Sequence, residues 1–384
     1  MTKRVLYVTT ARSDYGPSYW LLHDLFSDPR FSPFLVVGGS HLSQAHGLTV
    51  REIERDGFPI AARLPFLEVG DDNVSHARSA AHALGGFAGV IAESRPDLVV
   101  LYGDRYELLP IATAAVVTRT PIAHVCGGDV TEGAMDEQVR HAVTKMAHIH
   151  FASTKRSAQR ILQMGEERWR VHEVGDPALD HFVRGESASV EELTDFLGFR
   201  PDRSSLLVTF HPVTLEESDI PRQAAEIAAA LQEYPGPVVI TAPAPDPGGE
   251  VIRLAMQRLV ASRPKARFVE NLGSRRYHGI LRVVGAMVGN SSSGMNEAPC
   301  ALLPVVNIGR RQMGRERARN VIDCPAERTA IREALAIALS GQFMDGLVGL
   351  KNPYGDGRAS RRITDVLGSL PPRERLLGKK FAEP

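Results

Sequence analysis

Asp129, Asp136 and Glu137 crowd one short stretch, Ala123–His141, with Arg140 beside them, and Asp104 is the second residue of the segment Gly103-Asp104-Arg105-Tyr106-Glu107, directly after the apolar run Leu98–Tyr102. Carboxylates set around a sugar can give protons, take them and hold hydroxyls. Local structure offers a competing use for Asp104, Asp136 and Glu137. Asp104 also reads as the cap of a helix starting near Tyr106, with Glu107 as its capping-box partner. Asp136 and Glu137 also read as acidic complements to a helix N-terminus. Gly127 and Gly128, between these groups, would let the backbone approach a ligand closely.

A second set of residues suits an anion. Arg12, in the turn Thr9–Gly16, can meet a diphosphate with paired hydrogen bonds, or pair instead with Asp14. That turn is not GxGxxG, so the dinucleotide fingerprint is absent. His211 ends an apolar run, where an imidazole can serve a phosphate. Ser291, Ser292 and Ser293 follow another run and should open a helix, whose N–H groups and hydroxyls form an anion site; plain capping by a serine is the alternative. Glu297, one turn further, would hold ribose hydroxyls. Arg311 and Arg315, in Gly309–Arg315, add positive charge after yet another run. His148 and His150 read as packing or surface histidines.

These residues need a frame that brings them to one edge. Short apolar runs alternate with amphipathic stretches, the pattern of a parallel sheet covered by helices. Strands are expected at Val5–Thr9, Phe34–Val37, Leu98–Tyr102, Ile122–Val125 and His150–Ala152, with helices such as Ala77–Glu93 and Met135–Ala147. The alternation restarts with strands Leu206–Phe210, Val238–Thr241, Arg267–Glu270, Ala286–Val288 and Val305–Asn307, and helices Pro221–Tyr234 and Glu250–Ser262. The fold class is therefore α/β with two Rossmann-like domains, 1–180 and 181–358, divided within Gly175–Ser204. The segment 359–384, a helix and a polar tail, is expected to pack back on the first domain. Ligand is expected in the interdomain cleft, at the carboxyl ends of the strands, where every candidate residue falls.

The 384 residues suit two cores rather than one. Formal net charge is zero, which favours neither nucleic acid nor an anionic membrane as partner. The three cysteines, Cys126, Cys300 and Cys324, are far apart, form no metal-ligand spacing and suit a reducing compartment. No apolar run approaches the ~20 residues of a membrane helix, and the N-terminus lacks the apolar region of a signal peptide. A cytoplasmic protein is the expectation.

Taken together the motifs resemble the hydrolysing UDP-N-acetylglucosamine 2-epimerases of bacterial sialic-acid pathways. The match runs in order through RxDYG at Arg12–Gly16, GDRxE at Gly103–Glu107 and HxxGGDVTEGAxDEQxRHAxTKxAHxHF at His124–Phe151. It continues with FHPVT at Phe210–Thr214, GNSSSG at Gly289–Gly294 and GxRQxGR at Gly309–Arg315. The resemblance implies a glycosyltransferase-B-like fold, a nucleotide-sugar substrate, no cofactor, no metal, and a homodimer or homotetramer. It ties Asp104, Asp129 and His211 to catalysis. Arg12, Ser291, Ser292, Glu297 and Arg311 become nucleotide contacts, and Asp136, Glu137 and Arg140 a polar cluster near the sugar. Many members carry Glu where Asp129 stands, and the shorter side chain draws the carboxylate back by roughly one bond length.

The implied reaction eliminates UDP and then hydrates 2-acetamidoglucal to N-acetylmannosamine. It needs proton-handling groups on two faces, here Asp104 and Asp129 with Glu137 in reserve. A diacetamido sugar of the bacillosamine type remains open as substrate. So do two other uses of the same frame, a glycosyltransferase and a non-catalytic nucleotide-sugar sensor.

Overall fold

The computed structural model describes residues 2–68, 70, 72–131, 135–213, 218–243 and 248–383. Glu132, Gly133 and Ala134 of the third motif and Thr214 of the fourth lie outside them.

The described residues fall into two compact units. One takes those of Met1–Asp129, Met135–Asp180 and Tyr354–Pro384; the other takes those of Val130–Ala134 and His181–Pro353. The first unit carries a parallel sheet of β1 (Lys3–Thr9), β2 (Phe31–Gly38), β3 (Ile60–Leu64), β4 (Leu98–Tyr102), β5 (Ile122–Val125), β6 (Ile149–Ala152) and β7 (Val171–Glu173), in the order β3-β2-β1-β4-β5-β6-β7. Its central strands are apolar on both faces, as helices on both sides require. Val5, Tyr7, Val100 and Tyr102 enter one core layer, while Leu6, Val8, Val99 and Leu101 enter the other. Each such buried side chain contributes about 1.5–3 kcal/mol.

The second unit repeats the plan with β8 (Leu206–Thr209), β9 (Val238–Thr241), β10 (Ala266–Val269), β11 (Ala286–Gly289), β12 (Val305–Ile308) and β13 (Val321–Cys324), in the order β10-β9-β8-β11-β12-β13. Leu206, Val208, Val288 and Val306 pack with Ile227 and Leu231 of helix Ile220–Glu233 and Ile331 and Leu335 of helix Arg328–Ala338. The order in which successive strands are added reverses once in each sheet, between β1 and β4 and between β8 and β11. Ligands bind open α/β sheets beside such switch points. Arg12 and Asp104 follow β1 and β4; His211 and Ser291 follow β8 and β11.

Strands β3, β7 and β13 were not expected from sequence. All three are sheet edges. Their exposure explains the omission: Ile60–Leu64 and Val171–Glu173 contain no fully buried residue, and Val321–Cys324 buries only Cys324. An edge strand lacks the continuous apolar run that marks a central one.

Helix Ala359–Gly368 is held at both ends by the first unit. The buried Asp180 carboxylate accepts the N–H groups of Ala359 and Ser360 at 2.9 and 2.8 Å. The Lys3 ammonium donates to the carbonyls of Leu367 and Gly368 at the other end. Beyond it, Lys379 reaches the carbonyls of Lys145 and Ala147, where helix Asp136–Met146 ends, and the Glu166 carboxylate at 2.8 Å. Burial alone would raise the Glu166 carboxyl, but hydrogen bonds from His150, Lys145 and Lys379 hold it down to about 2. Lys379→Met is expected to destabilise the first unit by roughly 1–3 kcal/mol. Chemical denaturation read by circular dichroism tests this, and an unchanged midpoint and slope would show the tail to be unimportant.

Candidate active site

In the first unit two of the candidate carboxylates, Asp104 and Glu137, are held by one arginine. Arg140 lies on helix Asp136–Met146 and its side chain is 1% exposed. Nη2 donates to Asp104, which follows β4. Nη1 donates to Glu137 one helical turn back and to the main-chain carbonyl of Asp129, both at 3.1 Å. A guanidinium fork can serve three acceptors at once where an ammonium cannot keep the same geometry. The capping reading of Asp104 gives way here. The next helix starts only at Leu108, with Glu107 at the capping position and no side-chain cap, and Glu107 pairs with Arg105. Asp136 and Glu137 do begin a helix, so their helix-end role stands beside any chemical one. Glu137 also accepts from His141 at 3.0 Å.

Asp129 is buried and differently held. Its Oδ1 accepts the hydroxyls of Ser153 at 2.7 Å and Ser157 at 2.5 Å. Gly128 makes this possible. Its φ is +76°, and a Cβ there would stand 2.4 Å from the Ser157 carbonyl. A Cβ on Gly127 would stand 2.8 Å from the His124 ring and the Thr144 hydroxyl. The glycine pair thus admits neighbouring elements of the unit, where a ligand was expected.

Sequence reasoning gave His124 no role of its own. Its Nε2–H donates to the Gly103 carbonyl at 2.7 Å, fixing the residue before Asp104. Burial holds this imidazole down to about 4, against an ordinary 6.5. His148 is also held to about 4, chiefly by burial, and its Nδ1 accepts the Ile122 N–H. Between pH 6.5 and 4 the unfolded chain binds protons that these folded histidines refuse. Stability is therefore full above pH 6.5 and falls as pH drops toward 4, by at most about 3 kcal/mol for each. Buried His150 and half-buried His172, also lowered, act with the same sign. His148→Gln should flatten a plot of melting temperature from pH 7 to 4.5; profiles parallel to the native one would remove His148 from this account.

At the first sheet's switch point, Arg12 is exposed and begins helix Arg12–Ser27. Asp14 turns inward, accepting the N–H groups of Thr10 and Ala11 and the hydroxyls of Thr9 and Thr10. Burial opposes its charge, but His41, Thr9 and Thr10 outweigh burial and lower its pKa.

In the second unit the hub is Asn290, wholly buried after β11. It exchanges two hydrogen bonds with the His211 backbone, at 2.7 and 2.8 Å, which ties the ends of β8 and β11. Its carbonyl accepts from Gln312 at 2.8 Å and Arg311 at 3.2 Å. Gly289 permits the approach: a Cβ there would lie 1.9 Å from the Thr209 carbonyl. Arg315 donates to the Val130 carbonyl at 3.2 Å. The helix expected at the serines is a single turn, Ser293–Asn296, because Pro299 has no N–H with which to continue the ladder. A dipole of that length is small, so anion binding would rest on local N–H groups and hydroxyls. Ser292 occupies the cap position without a side-chain cap, and the Ser291 hydroxyl faces the Ser293 N–H at 3.4 Å. Glu297 accepts from His278 at 3.0 Å.

Residues 23–368 match the family described as UDP-N-acetylglucosamine 2-epimerase. The chain belongs to this family. A UDP-N,N'-diacetylbacillosamine 2-epimerase (hydrolyzing) of Legionella pneumophila is 35% identical over 99% of both chains. A GDP/UDP-N,N'-diacetylbacillosamine 2-epimerase (hydrolyzing) of Campylobacter jejuni is 34% identical over 84% of this chain and 85% of its own. In fold, a UDP-GlcNAc 2-epimerase structure from Neisseria meningitidis bound to UDP-GlcNAc superposes with a TM-score of 0.80 at 18% identity, covering 95% of this chain and 99% of that one. Two parallel-sheet α/β units of the glycosyltransferase-B-like class are thus the fold of this epimerase family member. Among the described residues, no helix is long and apolar enough to cross a membrane, and no group of three or more His, Cys, Asp or Glu could hold a metal ion.

Proposed function

We propose that this family member hydrolyses a UDP-linked 2-acetamido sugar with inversion at carbon 2. The observation that carries the reading is the Arg140 fork, which gathers Asp104, Glu137 and the Asp129 carbonyl in one place. The hydrogen on carbon 2 is not acidic, so a carboxylate can take it only as the bond to UDP breaks. One guanidinium holding two carboxylates fixes their positions, as proton transfer with a bound sugar requires. Asp104 and Glu137 have side chains 28% and 26% exposed, whereas Asp129 is buried against two serines. That contrast favours Asp104 and Glu137 for proton transfer, with Asp129 shaping the loop between them.

Departure of UDP requires stabilised charge on the diphosphate. We assign this to Arg12, His211, Arg311, Arg315 and the hydroxyls and N–H groups of Ser291, Ser292 and Ser293. Glu297 would hold the ribose, and Asp136 and Arg140 the sugar's surroundings. Water then adds to the glycal, placing a proton on carbon 2 from the opposite face and a hydroxyl on carbon 1.

UDP-N-acetylglucosamine is the substrate in the family's description, and UDP-N,N'-diacetylbacillosamine is that of two relatives. Each should be supplied alone in deuterated water. The expected result is UDP release with deuterium on carbon 2 of the freed sugar for one or both. Release of sugar without deuterium would mean simple hydrolysis. Neither UDP nor sugar released from either compound would defeat the proposal in favour of a transferase or sensor.

A further inference from the structure

We propose that His278 is a positioning residue for Glu297, and that with Ser274 and His181 it fixes which carboxylate oxygen the nucleotide's ribose meets. This rests on the functional reading above, in which Glu297 faces a ribose.

His278 and Tyr277 are neighbours on helix Gly273–Val283. His278 Nε2 lies 3.0 Å from Glu297 Oε1. An ionised carboxylate only accepts, so Nε2 carries the proton and donates. In a neutral imidazole Nδ1 must then accept, and the Ser274 hydroxyl, 3.2 Å away, is placed to donate to it. The Ser274 oxygen also lies 3.1 Å from His181 Nδ1 and 3.4 Å from its Nε2, so His181 closes that side of the group. The proton order runs from Ser274 through His278 to Glu297. A relay of this kind sets tautomer and ring orientation, as outer groups do for metal-bound histidines.

The ring is also clamped by packing. It stacks on His181 with centroids 4.7 Å apart, and Phe182 meets it edge-on at 4.9 Å. His278 is 4% exposed, so it presents Glu297 from a rigid wall. Among the described residues, the side-chain contact of Glu297 is made through Oε1, to His278. Oε2 thereby becomes the oxygen offered outward. One residue earlier on the same helix, the Tyr277 hydroxyl donates to Ser293 Oγ at 2.6 Å, so the Ser293 proton is directed elsewhere. A single helix turn thus orients both the ribose carboxylate and a hydroxyl of the serine segment.

The test uses three ligands, UDP, 3'-deoxy-UDP and 2'-deoxy-UDP, with calorimetry on the full chain. Native protein should bind UDP better than at least one deoxy analogue, as Glu297→Gln should not. His278→Phe keeps a flat apolar ring for stacking but removes the donor. It should weaken UDP by about tenfold while leaving the weaker deoxy analogue nearly unchanged, so that discrimination is lost. His278→Gln, which retains an N–H donor, should restore much of it. In turnover the His278→Phe effect should fall on KM rather than kcat. Discrimination by His278→Phe equal to native would overturn the positioning role while leaving the functional reading intact. Equal loss for all three ligands in both variants would also overturn it, as a merely structural effect. No UDP binding by native protein would overturn both readings.

Discussion

Arg140→Met is expected to reduce turnover to background and to destabilise the first unit by about 3 kcal/mol. The side chain is almost fully buried, and its loss removes the guanidinium that holds both Asp104 and Glu137. The carboxylates are partly exposed, so water recovers some of the cost. The Asp129 carbonyl loses a donor at the same time. Arg140→Lys should recover stability better than activity, since a point charge cannot hold three acceptors in one plane. The double variant Arg140→Met/Asp104→Asn should be less destabilised than the sum of its parts, because it no longer leaves the Asp104 charge without its guanidinium. Denaturation midpoints of the four proteins in this cycle check the coupling. Strict additivity would mean that Arg140 and Asp104 do not interact in solution.

What the sequence disclosed follows the physics of burial. Central strands such as Leu98–Tyr102, Ile122–Val125 and Val238–Thr241 appear in the structure with the expected bounds, since strands covered on both faces read as unbroken apolar runs. The edge strands β3, β7 and β13 are half wet and gave no such signal, whereas the edge strand β10 was legible. Candidate residues were legible where an unusual residue type follows an apolar run, as with Asp104 after β4 and His211 after β8. The supporting residues were not. Ser153 and Ser157 hold Asp129, and Ser274 and His278 stand behind Glu297, but serines and histidines at those positions look ordinary until folding brings distant segments together. Arg140 shows the intermediate case. Its place beside Asp136 and Glu137 was visible, whereas its grip on Asp104, 36 positions away, was not. The same contact, with no side-chain cap on the next helix, sets aside the capping reading that local sequence had placed beside a ligand-facing one for Asp104.

Asp104→Asn is expected to lower turnover by about 10²–10⁴-fold while leaving UDP affinity close to native. The substitution changes shape very little, and its side-chain oxygen can still accept from Arg140. What it removes is the ability to take or give a proton at neutral pH. If Asp104 abstracts the carbon 2 proton, the elimination itself is blocked, and no glycal should accumulate. If it instead delivers the proton on hydration, glycal and UDP should appear in a single turnover, with the epimerised sugar delayed. Rapid quenching in deuterated water separates the two cases: the first gives neither UDP nor deuterated sugar, the second gives UDP before deuterium reaches carbon 2. UDP binding should survive because the proposed diphosphate contacts, Arg12, His211, Arg311 and the serine segment, are other residues. A concurrent loss of UDP affinity would point to a damaged fold rather than a missing proton. A fully active Asp104→Asn enzyme would leave Glu137 and Asp129 to do the chemistry, and the Arg140 fork would then be a scaffold for the loop after β4 rather than the organiser of a proton-transfer pair.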